Sequence, residues 1–100
     1  MAEYICYLKK ENAMKAEDAL RKDFDTAAKQ SITVKAAAAL GMKLDGSFIF
    51  IRGDDRGIAH CKELIKGFVE KAVEKDLAHA KREIEKEEDA AAAGMGGIFG

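Results

Sequence analysis

The side chains best suited to acid–base or metal chemistry are two histidines and two cysteines, and they form no catalytic pattern. His60 and Cys61 are adjacent, so on a helix they point about 100° apart and do not converge on one substrate. His60 and Glu63 have the i, i+3 spacing that holds metals in helical bundles, but no second pair accompanies them. We therefore interpret His60 as a solvent-facing residue near a helix start, and we expect no enzyme, no cofactor and no metal site.

The segment Arg52-Gly53-Asp54-Asp55-Arg56 lies where a predicted strand ends and a predicted helix begins. The free backbone N–H groups of a helix start can bind an anion. Two aspartates at this position already satisfy those groups and suit the positive end of the helix dipole. We therefore favour a capping role for this segment over ligand binding.

The overall charge gives little support to binding of nucleic acid or membranes. Seventeen basic and 18 acidic residues leave a net charge of −1 and a pI near 6.1, so no global field gathers polyanions. A possible nucleic-acid contact is a local set of basic residues: Lys29, Lys35, Lys43 and Arg52. Residues 1–10 lack an apolar signal segment and no stretch of ~18 apolar residues occurs, which predicts a cytoplasmic protein without a membrane partner.

Two segments are predicted to be inner strands of a sheet. Residues 3–9 and 47–52 are rich in aromatic and β-branched residues, and both of their faces are apolar. Asp45-Gly46 is typical of a tight hairpin turn with two positive-φ residues. It predicts a hairpin between a short strand at 42–44 and the strand at 47–52.

Two helices are predicted between these strands. Apolar residues spaced by three and four indicate an amphipathic helix over 11–28, with Phe24 and Ala27 on its buried stripe. A second, shorter helix is favoured over 30–40, with Gly41 as its left-handed C-terminal residue. The alternative for that second segment is a strand over 32–35, which Ile32, Thr33 and Val34 favour.

A third helical pattern runs from Asp54 to about Asp89, and its buried stripe is Ile58, Cys61, Ile65, Phe68 and Ala72. A continuous helix of 36 residues would span ~54 Å, against a radius of gyration of only ~13 Å for a domain of this length. The helix must therefore kink, break or project, with Gly67 as the weak point. We divide the chain into an α+β domain (1–75), a charged helical extension (76–93) and a glycine-rich disordered tail (94–100).

The apolar core is lean for 100 residues, because 18 of the 48 hydrophobic residues are alanine. Helices on one face of a three-stranded sheet leave a second apolar face, formed either by Tyr4, Cys6, Phe48 and Phe50 or by Ile5, Tyr7, Ile49 and Ile51. The long C-terminal helix or a second protomer would cover that face, and we favour the protomer. The predicted interface residues are Tyr4, Phe48, Phe50, Leu77, Ala80 and Ile84.

The predicted order strand, helix, helix, strand, strand, helix resembles the KH-type nucleic-acid-binding module. The similarity covers Ile32 to Ile65, with Leu40-Gly41 ending a helix and Ile49-x-Ile51-x-Gly53 leading into the next. The resemblance implies single-stranded nucleic acid as a ligand. The junction 27–31 lacks the Gly-x-x-Gly loop that clamps the nucleic-acid backbone in KH domains.

Together these patterns predict a small α+β protein with a three-stranded, mostly antiparallel sheet and a long C-terminal helix. We expect a non-enzymatic interaction module that forms a homodimer, with a degenerate KH-like RNA binder as the alternative. The charged fraction of 35% and the absence of proline are also compatible with a heat-adapted source, in which ion-pair networks contribute more to stability.

Overall fold

The computed structural model describes the backbone of residues 2–99 and the side chains of residues 2–89. This part of the chain forms one sheet and three α-helices, with two short 3-10 turns at Ala27–Lys29 and Ala37–Leu40. The elements are, in order, β1 (Ala2–Leu8), α1 (Lys10–Lys22), β2 (Ser31–Ala36), β3 (Ser47–Gly53), α2 (Asp55–Ile65), β4 (Val69–Glu70) and α3 (Glu74–Phe99). The predicted α+β class is confirmed.

The sheet has four antiparallel strands in the order β2-β3-β1-β4, so the prediction of three strands was one short. The two strands predicted to lie inside the sheet, β1 and β3, are its inner strands. The element order from β1 to β4 is that of the ferredoxin-like, or split β-α-β, arrangement, and α3 follows it. This topology supports many unrelated activities and therefore fixes none.

The register of the inner strands decides which side chains share a face. Tyr4 pairs with Ile51 and Ile5 pairs with Phe50, and directly opposed residues of an antiparallel pair point to the same side. The sequence grouping of Tyr4 with Phe50 was therefore wrong, because it assumed a register shifted by one residue, which exchanges the two faces.

The first face, here called the α1–α2 face, packs against α1 and α2. Its strand residues are Tyr4, Cys6, Leu8, Ile32, Val34, Ile49 and Ile51. Helix α1 places Ala13, Ala16 and Leu20 on it, and α2 contributes the predicted stripe of Ile58, Cys61 and Ile65. This face holds the larger of the two hydrophobic clusters.

The second face, here called the α3 face, is covered by α3 of the same chain. Its strand residues are Ile5, Tyr7, Thr33, Lys35, Phe48, Phe50 and Arg52. Phe48 and Phe50 pack there with Ala80 and Ile84 of α3. Of the two predicted ways to cover the second apolar face, the single chain shows the fold-back of the C-terminal helix, and coverage by a second protomer stays a prediction.

Helix α1 ends at Lys22, six residues before the predicted end. A tight turn closes it, in which the Asp23 N–H donates to the carbonyl of Leu20 at 3.3 Å. The chain therefore leaves the helical path before Phe24, which is 76% exposed instead of lying on the buried stripe.

Residues 31–36 are strand β2, so the favoured helix over 30–40 was wrong and the alternative strand is observed. Pairing with β3 along its whole length satisfies the backbone, and the β-branched residues suit that setting. The alanines that follow form a 3-10 turn that ends, as predicted, at a left-handed Gly41 with φ of 74°.

The connection from β2 to β3 is a ten-residue loop, closed by the Ala37 N–H donating to the carbonyl of Gly46 at 2.9 Å. No strand forms at 42–44, because Met42 and Leu44 pack against the α3-face cluster instead of pairing. Gly46 has φ of 102°, and a Cβ there would overlap the Leu8 carbonyl oxygen. The residue before it, Asp45, does not have the positive φ that a two-residue hairpin requires.

The long C-terminal pattern breaks into α2, β4 and α3, one of the predicted outcomes, and Gly67 lies in the turn that follows α2. The Phe68 N–H donates to the Ile65 carbonyl at 2.8 Å, the chain turns, and β4 pairs with β1. This reversal lets α3 cross the opposite face of the sheet. The segment predicted as a charged extension is therefore packed on the sheet as far as Ile84, whereas the predicted glycine-rich tail, 94–100, lies outside the residues whose side chains are described.

Candidate functional site

The α3 face has an aromatic centre. Phe48 and Phe50 are 0% and 1% exposed, and the rings of Tyr7 and Phe48 lie 5.2 Å apart at a tilt of 48°. Helix α3 covers them with a narrow apolar seam of Leu77, Ala80 and Ile84, and the β2–β3 loop packs beside this seam through Ala37, Leu40, Met42 and Leu44. The three seam residues repeat at intervals of three and four, as the contact stripe of an amphipathic helix does.

Ion pairs flank this seam on both sides. Along the β2–β3 side, Lys35 Nζ lies 3.0 Å from Glu87 Oε2, and Arg52 pairs with Glu88. Along the β1 side, Lys81 Nζ of α3 lies 2.6 Å from Glu3 Oε2. The α3 face therefore has a basic rim along β2 and β3 and an acidic rim along β1, which meet where Arg52 lies directly opposite Glu3. Helix α3 carries the complementary charges in the matching places.

Glu88 is the most connected of these charged groups. One of its carboxylate oxygens accepts from the Thr33 hydroxyl at 3.3 Å, and the other accepts from the Arg52 guanidinium. The Arg52 guanidinium carbon also lies 4.9 Å from the centre of the Phe50 ring, a cation–π contact. One acidic side chain of α3 thus holds a cation of β3 over the aromatic centre.

The predicted interface residues fall on two sides of the sheet. Phe48, Phe50, Ala80 and Ile84 are fully buried together inside one chain, with Leu77 beside them. Tyr4 lies on the α1–α2 face, where the Lys62 ammonium is 4.9 Å from its ring centre. Sequence reasoning missed the paired rim residues, although Lys81 and Glu88 each follow a seam residue, Leu77 and Ile84, by one helical turn.

The predicted basic patch is dispersed. Lys35 and Arg52 both lie on the α3 face, but they are separated by four residues along β3, about 13 Å. Lys29 lines a groove at the start of α2, and Lys43 lines another beside Lys9 and Lys10. The structure therefore does not bring the four residues together into one compact cationic cluster.

A groove of about 910 Å³ lies at the start of α2. Asp54 caps the helix as predicted, accepting from the Gly57 N–H at 2.5 Å. The Gln30 side chain lies against Gly53 and Gly57, where any Cβ would overlap it, and its amide donates to the Thr26 carbonyl at 3.0 Å. With Gln30 over the helix start and three aspartates among the lining residues, this groove is not arranged to bind an anion.

His60 of α2 forms a hydrogen bond with the segment that follows α1. It is exposed, and its Nε2 meets the Asp23 carboxylate just beyond the end of α1. The histidine hydrogen bond holds the pKa of Asp23 below its usual value. Cys61, the neighbouring residue, is fully buried.

Neither cysteine is placed for reactivity. Cys6 and Cys61 are free and buried, and burial raises the pKa of Cys6 to about 12 and that of Cys61 above its usual value. Among the described residues, no three potential metal-ligating side chains of His, Cys, Asp or Glu converge. The described helices also include none that is long and apolar enough to cross a bilayer.

No family assignment follows from relatives. Comparison of the chain with protein-family models, with curated proteins and with solved structures gives no match. The helical segment that the KH resemblance requires at 30–40 is strand β2. The functional argument therefore depends on the geometry of the α3 face.

Proposed function

We propose that this chain is a small non-enzymatic interaction module that acts as a homodimer, and that the α3 face together with α3 is its working surface. The observation that carries the proposal is the match between this face and one amphipathic helix. An apolar seam meets an aromatic centre, and charges of opposite sign meet at both rims. This is the helix-in-groove mode of protein recognition.

The charge pattern selects the kind of partner. Lys35 and Arg52 attract an acidic segment on one side, while Glu3 on the other side attracts a basic group. A uniformly charged polymer satisfies only one rim and is repelled at the other. A helix with the charge pattern of α3 satisfies both, and every copy of this protein carries such a helix.

The apolar residues of the α3 face support self-association. Uncovered, the α3 face would expose Phe48, Phe50, Tyr7 and Ile5 side by side, a patch of the kind that marks interaction surfaces. The two free, buried thiols fit a reducing compartment, so we also propose a cytoplasmic location.

The first test is the mass of the full chain in solution. Gel filtration with light scattering at micromolar concentration should give twice the chain mass of 10.9 kDa. Leu77→Lys with Ile84→Lys should shift the protein towards monomer, because both changes place a charge in the seam. Ala78→Lys, on the exposed side of the same helix, is the matched control and should leave the mass unchanged. A wild-type monomer under these conditions would overturn the homodimer.

A second candidate is binding of single-stranded RNA on the same face. The favouring observation is the placement of cations beside aromatic rings on neighbouring strands: Arg52 over Phe50, and Lys35 paired in register with Phe48. Bases stack on such rings while cations contact phosphates. In the folded chain, Glu87 and Glu88 occupy both cations.

This candidate is tested with a fluorescent single-stranded RNA of mixed sequence. If the face binds RNA, the full-length Glu87→Gln, Glu88→Gln variant should bind more tightly than wild type, and binding should fall steeply with salt. Lys35→Gln with Arg52→Gln should abolish the binding, whereas Lys29→Gln with Lys43→Gln should not. Absence of binding by all variants at low salt removes the RNA hypothesis.

A further inference from the structure

The connection between α3 and the rest of the chain is short and exposed. Strand β4 ends at Glu70 and α3 begins at Glu74, leaving residues 71–73 as the link. Its last residue, Val73, is a large apolar side chain that is 62% exposed. This link lets α3 pack on its own chain, and in an extended form it would let α3 reach the same face of another copy, which is the geometry of an exchanged terminal element.

The contacts of α3 can be transferred unchanged to another copy. The ion pairs between the sheet and α3 and the buried seam all join α3 to the α3 face and its neighbouring loop. An α3 from a second molecule would meet the same aromatic centre and the same two rims. The balance between the closed and exchanged forms is then set by the link and by protein concentration.

We propose that the homodimer forms by reciprocal exchange of α3, each helix covering the α3 face of the other copy. The inference rests on the homodimer proposed above and specifies how it is built. An extended link brings the two copies of residues 71–73 together, so that the exposed Val73 of each copy gains an apolar partner. The occupant of each α3 face is therefore a second copy of this chain.

Charge reversal gives a test that depends on exchange. One full-length variant carries Lys35→Glu with Arg52→Glu, which reverses the charge of the basic rim of the sheet. The other carries Glu87→Lys with Glu88→Lys, which reverses the charge of the matching residues of α3. Each variant alone places like charges across the interface, whether α3 docks within a chain or between chains. When the two variants are mixed and exchange α3, the sheet of each chain in the heterodimer meets a helix of opposite charge.

The two variants are unfolded, refolded together at equal concentrations and analysed by native mass spectrometry, which separates heterodimers from homodimers by mass. Exchange predicts that heterodimers dominate the dimer population, well above the one-half expected of random pairing, and that each variant alone dimerises at least ~10-fold more weakly than wild type. The chain with all four substitutions is the control and should dimerise like wild type, since its charges are complementary again.

A second measurement uses chains close to wild type, in case the reversed variants fail to fold alone. Lys35→Cys and Glu87→Cys replace two residues whose charged atoms lie 3.0 Å apart. After the two single variants are refolded together, a short thiol crosslinker should link unlike chains if α3 is exchanged, while Cys6 and Cys61 stay buried. Val73→Asp should lower the dimer fraction.

The outcomes separate the two proposals. A dimeric wild type with random pairing of the charge variants and no crosslink between unlike chains overturns the exchange and leaves the homodimer standing. A wild type that is monomeric throughout overturns the homodimer itself. Predominant heterodimers together with the crosslink establish exchange of α3.

Discussion

The two faces of this sheet differ in how they are closed. The α1–α2 face is apolar throughout, is covered by two helices and contains both thiols. The α3 face has an aromatic centre, charged rims and a single helix attached by three residues. Both come from the same two inner strands, whose alternating side chains point to opposite sides. We propose that one face is a permanent core and that the other is a docking surface whose cover can be replaced.

Electrostatics follow the same division. Burial among apolar groups raises the pKa of Cys6 to about 12, so this thiol of the α1–α2 face carries no charge at neutral pH. At the rim of the α3 face, the hydrogen bond from Lys81 to Glu3 raises the pKa of the lysine, which favours its charged form. Ionic strength therefore acts on the cover of the α3 face far more than on the α1–α2 face.

The largest expected effect is the protection of the thiols in the α1–α2 face. Cys6 is 3% exposed and Cys61 is 0% exposed, so alkylation requires this face to open. At pH 8 a thiol reagent should react with the folded protein at least ~10³-fold more slowly than with the protein in denaturant. Fast reaction of either thiol in the native protein would show that the α1–α2 face is not a permanent core.

The next prediction asks whether the α3 face is a packed core as well. Phe50→Ala removes a fully buried ring and should lower the free energy of unfolding by about 3–5 kcal/mol. Phe24→Ala is the matched control: its ring is 76% exposed, so the change should stay within about 0.5 kcal/mol. Urea denaturation followed by circular dichroism gives both values. Equal effects would contradict the packing of α3 on this face.

A smaller effect, on amide hydrogen exchange, distinguishes the helix that covers the α3 face from the helices that cover the α1–α2 face. Glu88→Gln weakens the contacts of α3 with Thr33 and Arg52, and partly exposed ion pairs contribute about 0.5–1 kcal/mol. Amide exchange in α3 should therefore become about 2- to 5-fold faster, while exchange in α1 is unchanged. Asp18→Asn, which removes a highly exposed ion pair with Lys22, should change neither. Equal acceleration in α1 and α3 would mean that the two faces open together.

The smallest effect concerns the contact between Asp23, just beyond the end of α1, and His60 of α2. The hydrogen bond from His60 lowers the pKa of Asp23 in the folded state, so the carboxylate stabilises the fold above its unfolded pKa of ~3.9. This contribution is lost as the pH falls through the folded-state pKa. The stability difference between wild type and Asp23→Asn, measured by urea denaturation, should therefore be present above about pH 4 and shrink as the pH falls below that value. A difference that does not vary with pH would contradict the pairing.

Local sequence patterns correctly predicted the features whose residues have one strong conformational preference. Asp54 as a helix cap, left-handed Gly41, and the stripe of Ile58, Cys61 and Ile65 depend on neighbouring residues and were correct. The segment 31–36 was misassigned, because an alanine-rich run favours helix until a partner strand satisfies its backbone. The missed charged residues of α3 became a site only when the helix met the sheet.

By itself, the sequence determined that this is an α+β protein with two doubly apolar inner strands and too much apolar surface for one layer of helices. Those properties follow from composition and from alternation along each segment. The tertiary structure alone decided the register, which places Phe50 opposite Ile5 instead of Tyr4, and the chain reversal after Ile65. Both depend on contacts between residues far apart in the chain, and local preference contains no information about such contacts.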